Sequence, residues 1–159
     1  MANTQSMCTS FLGELLSATH NFSSANPAQT ASTANTFKAA LYLASATLNA
    51  STTAYSATNE VSGTGYTAGG VTVTGATNPL STNSSTTAGV GYWTPSASIT
   101  YTTVTLSTAF DTMLLYNSTQ SNKAVAVYTF GSQTITAGNF TLTMPSNTTS
   151  TALVRLSTT

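Results

Sequence analysis

The stretch Ala124-Val125-Ala126-Val127-Tyr128-Thr129-Phe130 is apolar at nearly every position, whereas the residues beyond it alternate. It predicts a central strand, apolar on both faces. Residues 133–136 and 139–144 come next, with Phe140, Leu142 and Met144 set against Thr141 and Thr143 at a period of two. They predict strands with one face in and one face out, joined through Ala137-Gly138 by a hairpin-like or bulged connection. Before the central strand, Met113-Leu114-Leu115-Tyr116 reads as a short buried strand and residues 117–122 as a polar turn. Over residues 98–106 the alternation runs through Ile99 and Tyr101, then changes phase to Val104 and Leu106. Such a slip predicts a β-bulge.

Further out the signal thins. Residues 71–74 are a short alternating strand, and residues 60–70 are a glycine-punctuated turn region. Residues 23–35 and 81–91 read as polar loops. From Phe37 on, Phe37, Ala39, Leu41 and Leu43 alternate with Lys38, Ala40 and Tyr42, as in a half-buried strand. The alanine-rich run 39–57 competes as helix, but its Thr, Ser and Tyr content weakens that option. A last strand covers residues 152–156. At the N-terminal end, Phe11, Leu12, Leu15, Leu16 and Thr19 fall on one face of a helix over residues 10–20. Gly13 inside it costs about 1 kcal/mol against alanine, so packing must hold that helix. Several short strands at this spacing imply an all-β fold, an antiparallel β-sandwich or jelly-roll-like barrel with a short N-terminal α-helix. The expected organisation is an N-terminal arm and helix at 1–22, a linker at 23–36 and a β-sandwich domain at 37–159.

Composition agrees. Only 4% of the 159 residues are charged, and the formal net charge is zero. Serine and threonine make up roughly a third of the chain, far above average usage. A hydrophobic fraction of 40% argues against disorder, and abundant β-branched threonine favours strands. A neutral hydroxyl surface has weak protection against association, so the chain is expected to pack against other chains. Lys38, Lys123 and Arg155 are too few to track phosphates or a lipid surface, so no nucleic-acid or membrane partner is expected. The N-terminus lacks the basic and apolar regions of a secretory signal. Synthesis and folding in a cytoplasm are expected.

The parts for chemistry are few. Cys8, His20, Glu14, Glu60 and Asp111 show no metal-ligand spacing, and no metal or cofactor is expected. Cys8 and His20 flank the helix and read as a buried thiol and a histidine near a helix end. A triad of a serine with His20 and Asp111 has no G-x-S-x-G elbow to support it. A glycosidase pair would need two facing carboxylates, and Glu14 is expected on a helix away from the sheet. Gly63-Thr64-Gly65-Tyr66-Thr67-Ala68 fits a loose dinucleotide pattern but leads into a strand, so a tight turn is expected instead. Lys38, Lys123, Glu60 and Asp111 are expected in two isolated salt bridges rather than an isopeptide crosslink. No catalytic residue emerges, and the expectation is a protein that is not an enzyme.

Three blocks carry a resemblance: Phe37-Lys38-Ala39-Ala40-Leu41-Tyr42; Thr53-Ala54-Tyr55 on to Glu60-Val61-Ser62-Gly63-Thr64-Gly65-Tyr66-Thr67-Ala68-Gly69-Gly70; and Leu115-Tyr116-Asn117-Ser118-Thr119 leading into Lys123-Ala124-Val125-Ala126-Val127. They resemble small structural proteins of tailed bacteriophages, from the N-terminal helix to about Pro145. The resemblance implies a virion component assembled in the bacterial host cytoplasm. Foremost is a capsid decoration (cement) protein, usually a homotrimer, with the major capsid protein as partner. A tail or tail-fibre/spike accessory protein, partnered by tail proteins, is the alternative. Neither a proline-rich arm nor a repeated fibre segment is visible. The candidate interface is the helical stripe Phe11, Leu12, Leu15 and Leu16, with Tyr92 and Trp93 as further contacts. A carbohydrate-binding β-module is a separate possibility and requires a coplanar aromatic platform.

Overall fold

A computed structural model describes residues 2–23, 34–82 and 89–158. Its elements run β1 (Ser6–Met7), α1 (Thr9–Leu16), β2 (Phe37–Leu43), β3 (Val71–Thr72), β4 (Leu80–Ser81), β5 (Val90–Trp93), β6 (Ile99–Asn117), β7 (Lys123–Leu142) and β8 (Val154–Ser157). Five strands form one sheet in the order β1-β7-β6-β2-β3, and three form a second in the order β4-β5-β8. Every pairing among them is antiparallel. The fold is therefore an all-β sandwich. It does not close into a barrel, because among the described residues both sheets keep open edges.

The large sheet is built on one long hairpin. β6 has 19 residues and β7 has 20, where several short strands were expected. The segment at 113–116 is the end of β6, and the two segments after Phe130 are the continuation of β7. The expected slip after Tyr101 is present. Register shifts between Tyr101 and Val104 while Ile99, Tyr101, Val104 and Leu106 all stay buried. Thr103 absorbs the extra residue at φ 52°. Ala137, at φ 47°, marks a bulge within β7 and not a hairpin turn. Bulges of this kind reset the alternation, which is why one strand reads as several.

The hairpin turns where expected, between Asn117 and Lys123. Asn117 Oδ1 accepts from the amides of Thr119 and Gln120, and Ser121 and Asn122 take left-handed φ values of 51° and 58°. Ala124, Val125, Ala126 and Val127 are buried, as a central strand requires. β2 departs from its expected alternation: Ala40 and Tyr42 are buried along with Phe37, Ala39 and Leu41. It pairs with β6 along its length, and its other edge takes β3 and, at Leu41 to Leu43, residues 59–61.

The N-terminal segment joins the same body. β1 pairs with β7 at Val127 and Ala126, and the Cys8 amide bonds the Val125 carbonyl at 3.0 Å. α1 ends at Leu16, earlier than expected, and Ala18 comes after it at φ 55°. Of the polar linker at 23–36, residues 24–33 lie outside the described residues, as do 83–88 of the loop at 81–91. The small sheet shares the core through Trp93 and Val154. Its strands β4 and β5 were not expected, and they take Ser81, Val90 and Gly91 out of the loop expected at 81–91. Among the described residues no helix is long and apolar enough to cross a membrane.

Candidate functional site

Two polar clusters take up most of the residues able to do chemistry. The first centres on Glu60. Its Oε1 accepts from the Tyr66 hydroxyl at 2.7 Å and the Gly69 amide at 2.8 Å, and its Oε2 accepts from the Tyr55 hydroxyl at 2.7 Å. Tyr66 in turn accepts from the Leu41 amide of β2 at 3.0 Å. Tyr101 and Tyr116 reach up from β6 and donate to the carbonyls of Ala39 and Gly69, each at 2.8 Å. Tyr55 stacks on Tyr116 at 4.8 Å, and Tyr66 on Tyr101 at 5.8 Å. Burial, reinforced by the Glu60 charge, pushes the hydroxyls of Tyr55, Tyr66 and Tyr101 well above the ordinary tyrosine range. All three stay protonated donors. Gly70, at φ 68°, lies so close to β2 that a Cβ there would run into the Ala39 carbonyl.

The second cluster ties α1 to the hairpin. The His20 side chain is fully buried, and both ring nitrogens are engaged. Because Asn117 Oδ1 accepts backbone amides, its Nδ2 must donate, to His20 Nδ1 at 3.0 Å and Asn35 Oδ1 at 2.8 Å. His20 Nδ1 is then the acceptor and Nε2 carries the proton, which it gives to Glu14 Oε2 at 2.7 Å. Glu14 Oε1 takes Lys123 Nζ at 2.7 Å. Burial alone would raise the Glu14 carboxyl, but the bonds from Lys123 and His20 outweigh it and hold the group below its ordinary value.

Several expectations change here. Glu14 binds β7 through Lys123 instead of lying away from the sheet. The expected salt bridges of Lys38 and Lys123 with Glu60 and Asp111 do not form: Glu60 serves tyrosines, and Asp111 Oδ1 takes the Asn3 amide at 2.8 Å and the Thr112 hydroxyl at 2.6 Å. Cys8 is wholly buried, and burial followed by the Glu14 charge raises its thiol to about 11. Among the described residues no group of His, Cys, Asp and Glu could hold a metal ion.

The candidate contact residues divide. Phe11 is fully buried, edge-on to His20 at 5.0 Å and Phe22 at 5.9 Å. Trp93 is 3% exposed, packs on Phe22 at 4.8 Å, and donates Nε1 to the Thr77 carbonyl. Both are interior residues and leave the contact set. Leu12 and Leu16 are exposed at 46% and 93%, while Leu15 and Tyr92 are half-buried. Among the described residues no tyrosine, phenylalanine or tryptophan is exposed, and Tyr55, Tyr66, Tyr92, Tyr128, Phe130 and Phe140 are half-buried. The tyrosine-and-glycine block was visible in the sequence, but Glu60 as its common acceptor was not. Asn117, read as a turn residue, gave no sign of its grip on His20. Compared with known proteins, the chain matches no family model, no curated protein and no solved structure.

Proposed function

We propose that this chain is a non-enzymatic structural protein of a tailed-phage virion, a capsid decoration protein that binds the head shell as a symmetric oligomer. The observation that carries the reading is how the reactive groups are used. Glu14, Glu60, Asp111, His20 and Cys8 are each buried or bonded to a neighbouring segment, and each holds the fold together. None is left facing a pocket with a free lone pair and a partner base. The outer surface is neutral, rich in hydroxyls and edged by unpaired strands.

Such a surface suits a reinforcing subunit. A shell under pressure from packed DNA needs complementary area at capsomer junctions, repeated many times, and avidity does the rest. The block resemblance to small tailed-phage proteins points the same way. The exposed Leu12 and Leu16 are the first contacts to test. Heads assembled without this chain are expected to release DNA at a lower temperature, and adding back the purified protein should restore the wild-type value. Heads that are indifferent to the protein would count against decoration.

A further inference from the structure

β6 pairs with β7 on its inner side from Lys123 to Leu142. On the outer side β1 pairs with Ala126 and Val127, and Cys8, Thr53 and Ala54 take up Val125, Ala124 and Lys123. From Tyr128 onward that edge has no strand partner among the described residues. We propose that it pairs antiparallel with the same edge of a second copy, about a twofold axis at Thr134.

The bulges select this register. Gly131 and Ala137 are the two left-handed residues of the edge, at φ 78° and 47°, and each lies three positions from Thr134. Bulges normally blunt an edge, because an incoming strand cannot follow the kink. A twofold at Thr134 sets Gly131 of one copy opposite Ala137 of the other, so the kinks coincide. The same register sets Tyr128 opposite Phe140, an aromatic cross-strand pair, and Phe130 opposite Gly138. It starts at the first residue that β1 leaves free and ends just inside the strand's last residue.

Charge and area name the occupant. No charged residue lies between Lys123 and Arg155, so a charged partner finds no complement, while a second copy desolvates no charge. Pairing over residues 128–140 gives a strip about 43 Å long. With a contact width of about 10 Å, the total buried area comes to roughly 900 Å², below the about 1,000 Å² of a stable specific interface and in the range of weak, transient ones. The dimer should therefore be weak, with a Kd on the order of tens of micromolar. An isologous contact of this kind gives twofold dimers and not the trimer that the resemblance implies.

Sedimentation velocity from micromolar to hundreds of micromolar tests the pairing on the full chain. The wild type should pass from monomer to dimer. Thr134→Lys, which sets two like charges against each other at the axis, should weaken association at least about tenfold. Thr74→Lys, the same change at an exposed residue elsewhere, should leave it unaltered. Under mild oxidation Thr134→Cys should form a disulfide-linked dimer and Thr74→Cys should not. If Thr134→Lys loses its far-ultraviolet dichroism, the cysteine pair decides alone. A wild type that stays monomeric, a trimer indifferent to Thr134→Lys, or equal crosslinking at both cysteines would overturn the proposal. A wild type that is monomeric and still binds heads would remove the dimer and leave the decoration reading standing.

Discussion

Glu60 accepts three hydrogen bonds from two tyrosines and a glycine amide, so its replacements should separate charge from connectivity. Glu60→Ala strands three donors and should cost about 2–4 kcal/mol in chemical denaturation. Glu60→Gln should cost far less, because the Tyr55 hydroxyl can rotate and accept a bond from the new amide. Equal losses in the two variants would show that the charge, and not the bonding pattern, holds the cluster. Gly13 gives the opposite case. A Cβ there would meet nothing, so Gly13→Ala should stabilise the protein by about 0.5–1 kcal/mol, read as a higher melting temperature. Cys8 should resist thiol reagents at pH 8 until the fold opens, since burial keeps the thiol protonated with a value of about 11.

At the scale of elements, α1 is tied to β7 through Glu14 and Lys123, and that tie depends on pH. The folded Glu14 carboxyl sits below its reference value of 4.5, so its contribution is fully present above that pH. It is lost as pH falls through the lowered folded value. Melting curves from pH 7 downward should show wild type more stable than Glu14→Gln, with the gap closing in acid; a gap that widens would contradict the tie. The bulge in β6 was legible because Ile99 and Tyr101 change phase to Val104 and Leu106, and no other element explains that slip. The unity of β6 and β7 was not legible. Exposed residues 107–109 and the kinks at Gly131 and Ala137 break the period that sequence reading relies on. β5 was missed because Val90-Gly91-Tyr92-Trp93 has too little alternation, and its pairing with β8 lies far off in sequence. Glu60 and Asn117 were missed for a related reason: their importance is the number of partners that meet them in space.

For the whole molecule, the neutral surface implied by a chain with 4% charge was plain from composition, and so was the all-β class. The partner of that surface was not, because hydroxyl-rich edges carry no signature of what covers them. The described residues form a two-sheet sandwich whose reactive groups are engaged within the fold and whose long hairpin leaves an edge open. The proposed role, a subunit repeated on a larger surface, rests on that combination. Cryo-electron microscopy of the intact particle, with this chain located and counted in the map, tests the claim most directly. Many symmetric copies at capsomer junctions on the outside of the head are the predicted result. A few copies on the tail, or none in the particle, would contradict it.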